Sequence, residues 1–353
     1  MAVTTYKCPN CDGGLIFDPK SQQFSCEYCG SYFDESNLTK TDGAENSAPR
    51  EAPEPGGREA RDEPSIAVYS CPSCGAEVET DETTAATFCY YCHNPVVLSG
   101  RLDGKLRPQK VIPFAVEKEK AIRELLNWTK KKWFVPKAFF SQNQIEKVTG
   151  VYFPYWMVDG RVRGRMDARA TKVRVWRSGN TEYTETRHYS VVREGNMTFQ
   201  DIAHNALNKE NSKLVNGVHP FDGAAMRDFS PAYLSGFQAE KRNREQAECE
   251  GAVKQEIQEY AGVMLRNSIS GYHVVTPGQL SVSQESLDWK YTLLPVWVLT
   301  YKAHNGETHY YTMNGQTGKV SGILPVDYRR LFLFFGGITL VLLLIMLLGG
   351  YLF

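Results

Sequence analysis

The chain has 353 residues, which is enough for two or three domains with at least one large hydrophobic core. Its formal net charge is zero, but residues 1–98 contain 6 Lys/Arg against 16 Asp/Glu, and the remainder is basic. This asymmetry indicates that the two parts of the chain meet different partners. The N-terminus lacks the apolar segment of a secretory signal peptide, so we expect reduced thiols rather than disulfides.

Eight of the nine cysteines form Cys-x-x-Cys pairs, and the second set repeats the first 63 positions later. Four thiolates in two such pairs bind zinc tetrahedrally and leave no open coordination position. Redox dithiols or an iron–sulfur cluster fit this spacing less well. The sequence therefore predicts two all-β zinc ribbons, 1–33 and 66–98, each holding one structural Zn²⁺ through Cys8, Cys11, Cys26 and Cys29, and through Cys71, Cys74, Cys89 and Cys92, respectively.

Glycines follow the second cysteine of two knuckles, at Gly30 and Gly75, where they permit a tight turn that aims backbone N–H groups at sulfur. The ninth cysteine, Cys249, lies alone in a charged helical stretch, and we expect it to be an incidental half-buried thiol.

The segment between the ribbons and the ribbons themselves are acidic. Residues 34–65 are rich in Pro, Gly, Ala and acidic side chains, a composition that predicts a disordered acidic linker. Ribbon 66–98 has no Lys or Arg, although nucleic-acid binding depends on such cations. The ribbons are therefore expected to contact proteins.

An α+β body with antiparallel sheets is predicted for residues 99–328. Apolar residues at helical spacing indicate a helix over 115–134, and a second, longer helix is predicted over about 238–267. Strand patterns on both sides of residues 177–180 predict a long hairpin, and further strands precede a turn at Asn314–Gly315. The stretches "FPYWM" and "LPVWV" align under a shift of 141 residues, which suggests two related halves.

Positive charge in the body is concentrated in two places, on the first helix and on the first strand of the hairpin. The strand residues alternate along the chain and so share one face. A solvated surface is the simpler interpretation, and an acidic ligand is the sharper one: anionic lipid, an acidic partner, the protein's own acidic ribbons or RNA. The residues concerned are Lys130, Lys131, Lys132, Arg161, Arg163, Arg165 and Arg169. No phosphate-binding loop, metalloprotease motif or serine-hydrolase motif is present, so we expect a protein that is not an enzyme.

Residues 331–353 form a run of 23 residues without a charge. As a helix, this run is roughly 34 Å long, enough to cross a bilayer core of about 30 Å. Arg329 and Arg330 precede it, and the positive-inside rule then keeps the body in the cytoplasm. The sequence predicts a single-pass protein of the inner (plasma) membrane, anchored through residues 329–353.

Several motifs occur in a fixed order after the knuckles: "LRPQKVIPFAVEKEKA" (106–121), "GVYFPYWMVDG" (150–160), "LLPVWVLTY" (293–301) and "NGQTGKVSG" (314–322). Together they resemble a family of bacterial membrane-anchored proteins with TFIIB-type zinc ribbons, some of them labelled primosomal-helicase-like. The helicase label finds no support here, because ATP-binding motifs are missing.

Some members of that family are encoded beside phage-shock protein A and flotillin-like SPFH-domain proteins. The resemblance therefore implies a tail-anchored scaffold that recruits such cytoplasmic proteins to the inner membrane face in an envelope-stress system. The alternative is a membrane-tethered nucleic-acid-binding regulator that uses the arginine-rich strand face.

Overall fold

The computed structural model describes residues 4–42, 66–71, 77–81, 83–89, 95–98, 101–102, 104–136, 147–208, 215–302 and 308–352. Its helices are α1 Lys118–Lys130, α2 Gln246–Asn267 and α3 Tyr328–Leu352. Its strands are β1 Thr4–Lys7, β2 Leu15–Asp18, β3 Gln23–Cys26, β4 Tyr32–Phe33, β5 Thr39–Asp42, β6 Ile66–Ser70, β7 Glu77–Asp81, β8 Thr84–Phe88, β9 Pro95–Val97, β10 Lys110–Val111, β11 Thr149–Ser178, β12 Thr181–Asn205, β13 Arg227–Asp228, β14 Gln238–Glu240, β15 Val274–Lys302, β16 Thr308–Asn314 and β17 Val320–Gly322.

Three very long antiparallel strands, in the order β12–β11–β15, dominate the body. β11 has 30 residues, so at ~3.3 Å per residue it extends over at most roughly 100 Å. The predicted hairpin is confirmed, because Ser178 pairs with Thr181 and Gly179 adopts φ 59° in the turn. Beyond about residue 171 both faces of the hairpin are largely exposed, and we call residues 171–190 the β-arm.

Helix α2 covers one face of the three strands. Its buried residues recur every four positions and pack against Val158, Val162 and Met166 of β11; they are Val253, Ile257, Ala261 and Leu265. The helix begins with a capping box between Glu245 and Glu248. The sequence-based start near residue 238 is wrong, because Gln238–Glu240 form a strand that pairs with β11.

The large sheet has twelve strands among the described residues, and it is mixed rather than purely antiparallel. β10 pairs with β15 and β14 pairs with β11 in parallel, in contrast to the antiparallel sheets expected. The same sheet incorporates β1, β8 and β9 from the two cysteine-containing segments. The body and these segments therefore share one hydrogen-bonded framework.

The boundary between the first ribbon and the linker differs from the prediction. Thr39–Asp42, which the sequence assigns to the linker 34–65, form β5 and pair with β1. Ordered structure thus continues to Asp42, because the edge of β1 offers backbone partners that composition does not reveal. The rest of the predicted linker lies outside the described residues.

The two similar stretches of the body are neighbours in space. Phe153 of β11 lies opposite Leu294 of β15, and Tyr152 lies opposite Pro295. Trp156 and Trp297 join one core cluster, in which Phe114 stacks on Phe237 at 4.2 Å between ring centroids and tilts against Trp297 at 4.9 Å, whereas Phe153 and Tyr155 belong to a second cluster. The structure thus brings the two similar stretches together as adjacent antiparallel strand segments.

The chain ends in an apolar helix. Within the described residues, Tyr328–Leu348 is the one stretch of helix long and apolar enough to cross a membrane, with a mean hydropathy of 2.9. Its most apolar window buries none of its residues against the rest of the chain. A helix of this kind could serve as a membrane anchor, as the sequence predicts.

Candidate metal centre and basic sheet face

The first four cysteines come together as their spacing predicts. The Sγ atoms of Cys8, Cys11, Cys26 and Cys29 all lie within 4.8 Å of one another. The Cys8–Cys29 and Cys11–Cys26 Sγ distances are 3.5 and 3.4 Å. Zinc with four sulfurs at ~2.3 Å needs sulfur–sulfur distances of about 3.8 Å, and a disulfide needs ~2.0 Å. The geometry and chemistry of this group fit a tetrahedral metal ion.

Two tight turns aim these thiols at a common point. The Asp12 N–H donates to the Cys8 carbonyl, and the Gly30 N–H donates to the Cys26 carbonyl, both at 2.9 Å. Gly30 has φ 70° and Asp12 has φ 62°, so both turns pass through the left-handed region. Glycine enters that region freely and aspartate tolerates it, which explains why the first knuckle closes without glycine at this position.

The environment of the four sulfurs is asymmetric. Cys8 and Cys26 are buried, whereas Cys11 and Cys29 are exposed. The Asn10 N–H donates to Cys8 Sγ at 3.4 Å, a contact that stabilises a thiolate. Hydrogen bonding with the Ser31 side chain and backbone lowers the pKa of the Cys29 thiol to about 6. At Cys11 a backbone hydrogen bond from Gly13 lowers the pKa, but hydrogen bonding with Cys26 and burial together raise it to about 12. The surroundings of Cys29 therefore favour the deprotonated form that a metal ion requires, whereas Cys11 gives up its proton only when a metal ion binds.

Only half of the second cysteine set falls on described residues. Cys71 and Cys89 are buried and pack with Val96 and Leu98. Cys74 and Cys92 lie outside the described residues, as does Gly75. The structure thus establishes one four-cysteine group and does not test the second.

The first ribbon is docked on the body through aromatic side chains. Tyr233 contacts Phe17 and Phe24, with ring centroids 5.2 and 5.9 Å apart. The Tyr233 hydroxyl also donates to Glu35 at 3.1 Å, and the Phe17 N–H donates to the Ser235 carbonyl at 3.0 Å. Cys8 and Cys26 consequently belong to the same core cluster as the body.

The four candidate arginines of β11, Arg161, Arg163, Arg165 and Arg169, share an exposed face, as the alternation predicts. Arg163 forms an ion pair with Glu194 at 2.6 Å, and Arg165 lies 3.3 Å from the same carboxylate. Arg163 lowers the pKa of Glu194 by hydrogen bonding and charge. Within the described part of the chain, Arg161 and Arg169 form no ion pair. Two of these four arginines are therefore paired with a single carboxylate of β12.

The three lysines lie elsewhere. Lys130 ends α1, and Lys131 and Lys132 follow it, all of them exposed. The next residues contact α3, since Trp133 and Phe134 both pack against Phe334. The structure therefore assigns the predicted cationic residues to two surfaces, the β11 face and the base of α3.

The structure contains a polar cavity of about 580 Å³ that the sequence does not predict. Its lining includes Asp201, His204, His219, Arg244 and Glu256, which come from distant parts of the chain. Burial lowers the pKa of His204, and burial lowers that of His219 to about 4. The histidines look scattered in the sequence because no local spacing relates them. The bulge that places Asp201 at φ 57° is equally invisible in the sequence.

Comparisons with known proteins give one informative relative. No family model matches the chain, and no solved structure matches it. The uncharacterized protein YdjG of Bacillus subtilis (strain 168) is 33% identical over 337 residues, which cover 96% of this chain and 94% of YdjG. Similarity at this level over nearly the whole length of both proteins shows that the chain belongs to the same family as YdjG.

Proposed function

We propose that this protein is a non-enzymatic, membrane-anchored zinc-ribbon scaffold that docks cytoplasmic proteins at the inner membrane face. Phage-shock protein A-like and SPFH-domain proteins are the proposed partners, in an envelope-stress system. The second zinc ion, the cytoplasmic orientation and the TFIIB-type family assignment are parts of the same proposal.

The observation that carries this proposal is an unburied apolar helix joined to a body with a long open edge. Among the described residues, β12 forms strand pairs with β11 alone, so its other edge has no strand partner there. An edge strand of 25 residues presents unpaired backbone groups, which can receive an added strand from a partner. At the end of the β-arm, Trp176 stacks on Tyr183 at 5.5 Å, with both rings partly exposed. Exposed aromatic pairs of this kind anchor protein partners.

The nucleic-acid alternative receives less support. Phosphate contacts need several uncompensated cations on one surface, and Glu194 already engages Arg163 and Arg165. The acidic first ribbon is docked through aromatic contacts and brings Glu35 close to Tyr233. These charges favour a protein partner over DNA or RNA.

Flotation of the full-length protein in liposomes tests the proposal. Purified phage-shock protein A-like protein or SPFH-domain protein is added, and the fraction that floats with the liposomes is measured. We expect liposomes that contain the wild-type protein to carry at least one of these partners. The Trp176→Ala/Tyr183→Ala variant should weaken capture about 30-fold, as loss of an aromatic anchor does. The Tyr28→Ala/Tyr32→Ala variant removes two exposed aromatic residues of the first ribbon and should bind normally.

Absence of both partners from wild-type liposomes would contradict the proposal. Capture of duplex DNA that falls roughly a thousandfold between 50 and 200 mM salt would favour the regulator instead. Weakening by the ribbon variant alone would move the docking surface from the β-arm to the first ribbon.

A further inference from the structure

The start of the apolar helix α3 is fixed to the segment that follows α1. We call residues 131–136 the juxtamembrane loop. The Asp327 N–H donates to the Phe134 carbonyl at 2.6 Å, and Arg330 Nη1 donates to the Val135 carbonyl at 3.4 Å. A backbone donor before Tyr328 and a side-chain donor after it therefore hold two carbonyls of the loop against the first turn of the helix.

Aromatic contacts extend this attachment along the helix. Phe334 lies 6.1 Å from Trp133 and 5.5 Å from Phe134, measured between ring centroids. Phe334 is three residues beyond Leu331, where the uncharged run begins, which is about 4.5 Å further along the helix axis. If α3 crosses a bilayer, Trp133 must lie at the depth where the hydrocarbon begins.

The Trp133 side chain is better accommodated at that depth of a bilayer than in water. It is 73% exposed, although it is one of the largest apolar side chains in the chain. Tryptophan is enriched at membrane–water interfaces, where its ring meets apolar chains and its N–H meets the headgroups. Ile323 and Val326, in the segment leading into α3, are exposed as well. Exposed apolar surface thus extends beyond the helix itself to the segments around its base.

A groove next to Trp133 combines apolar walls with positive charge. It has a volume of about 430 Å³ and is lined by Lys131, Lys132, Trp133, Phe134, Val135, Leu324, Pro325 and Val326. Lys130 adjoins it, and the nearby Asp327 is already paired with Arg330 at 3.2 Å. The apolar stems of lysines line such a groove while their ammonium groups reach the polar layer. This combination matches the acyl chain and the anionic headgroup of one molecule.

We infer that the juxtamembrane loop is a second membrane contact, which binds an anionic phospholipid with its acyl chain in the groove and its headgroup at Lys130–Lys132. The inference rests on the proposed membrane anchoring of α3 and adds a lipid class and a defined orientation. Because the loop is fixed to both α1 and α3, this contact holds the body at a set angle to the bilayer.

Quenching by brominated lipid tests the position of the loop. The full-length protein is placed in nanodiscs of phosphatidylcholine and phosphatidylglycerol, with bromine on the acyl chains, and tryptophan emission is recorded. We expect clear quenching in the wild type, lost in Trp133→Phe. The matched control Trp176→Phe removes the exposed tryptophan of the β-arm and should keep the quenching.

The lipid class is tested by moving bromine from one lipid to the other at equal mole fractions. One lysine close to an anionic surface enriches anionic lipid about fivefold. We therefore expect brominated phosphatidylglycerol to quench more than brominated phosphatidylcholine. The Lys130→Gln/Lys131→Gln/Lys132→Gln variant should bring the ratio close to one. The control Lys172→Gln/Arg174→Gln/Arg177→Gln removes the same charge from the β-arm and should leave the ratio unchanged.

Alkaline extraction separates failure of this contact from failure of the anchor. Wild-type protein that leaves the membrane in alkaline carbonate would overturn both the anchor and the loop contact. Protein that resists extraction but shows equal quenching in the wild type and Trp133→Phe would overturn the loop contact alone. An unchanged lipid ratio in the lysine variant would overturn the assignment of anionic lipid.

Discussion

Cys8 and Cys26 each combine two roles, because their thiols face the four-sulfur centre while their side chains belong to the hydrophobic core. Cys11 and Cys29 complete the centre from the exposed side. Loss of a buried ligand therefore removes a metal ligand and leaves an unpartnered polar group inside the ribbon. Cys249 is also buried, in α2, but lies outside the four-cysteine group and offers a control for the loss of a thiol.

We expect Cys26→Ser to lose one zinc equivalent per chain relative to the wild type. Zinc coordination contributes on the order of 10 kcal/mol to small metal-dependent modules, so the first ribbon should also become protease-sensitive. Elemental analysis of protein purified without chelators measures the zinc, and Cys249→Ser should keep the wild-type content. Equal zinc in Cys26→Ser and the wild type would refute the metal site.

His219 is a half-buried titratable group in the polar cavity. Its ring lies 5.1 Å from Tyr155 and 5.2 Å from Phe221, and its backbone carbonyl accepts a hydrogen bond from Lys319. Burial and the charge of Lys319 lower its pKa from 6.5 to about 4. As the pH is lowered, the folded protein therefore protonates this imidazole at a lower pH than the unfolded chain does.

The sign of the resulting pH effect follows from that order. Because the folded-state pKa is lower, the neutral imidazole contributes stability above pH 6.5, and this contribution declines as the pH falls to 4. We expect the free energy of unfolding to fall by as much as ~3 kcal/mol more in the wild type than in His219→Gln over this range. Urea unfolding in detergent measures it, with exposed His188→Gln as the control. Parallel pH curves for the wild type and His219→Gln would contradict the prediction.

At the level of elements, the close approach of α2 to β11 depends on a glycine. A Cβ atom at Gly164 would lie 2.5 Å from Met197 Cε and 3.0 Å from Leu265 Cδ1. Gly195 lies directly opposite Gly164 in the ladder, and nothing approaches its Cβ position within 4 Å. The two paired glycines thus differ because α2 packs over the Cβ position of Gly164, whereas the Cβ position of the half-buried Gly195 meets open space.

We expect Gly164→Val to reduce the free energy of unfolding by about 1–3 kcal/mol, because the added methyls displace Met197 and Leu265. Gly195→Val should change it by less than about 0.5 kcal/mol, since a β-branched residue fits a strand position whose Cβ meets no other atom within 4 Å. Chemical unfolding followed by far-ultraviolet circular dichroism provides the measurement. Equal losses in the two variants would show that α2 does not pack over Gly164.

At the scale of the whole molecule, the first ribbon and the body form one unit. β1 enters the large sheet, and Tyr233 joins the aromatic residues of β2 and β3. A metal ion held by this four-cysteine group would therefore stabilise the body as well as the ribbon. The β-arm continues two strands of the same sheet, and the base of α3 contacts Phe134 and Val135.

Tyr233→Ala is expected to release the first ribbon from the body. Removal of a core aromatic costs about 3–5 kcal/mol, and part of this loss falls on the docking contact. Zinc should then transfer faster to a colorimetric chelator, and proteolysis near residues 34–65 should accelerate. Tyr233→Phe keeps the ring contacts with Phe17 and Phe24 and should transfer zinc at the wild-type rate. Equal rates in wild type and Tyr233→Ala would mean that the ribbon is stable without this contact.

Features governed by local spacing could be predicted from the sequence alone. The four-cysteine group follows from two Cys-x-x-Cys turns, the exposed arginine face follows from strand alternation, and α3 follows from an uninterrupted apolar run. Each depends on residues close in the chain, where backbone geometry leaves few choices. The sequence by itself therefore determined the candidate ligands, the hairpin and the candidate anchor.

Only the tertiary structure decided the features that depend on distant residues. Gln238–Glu240 form a strand because the edge of β11 supplies hydrogen bonds that outweigh helical propensity. His204 and His219 line one cavity, and Tyr233 docks the first ribbon on the body. Phe334 contacts Trp133, although nearly the whole sequence of the body separates the two residues. Contacts of this range arise from packing of preformed elements, and no local pattern records them.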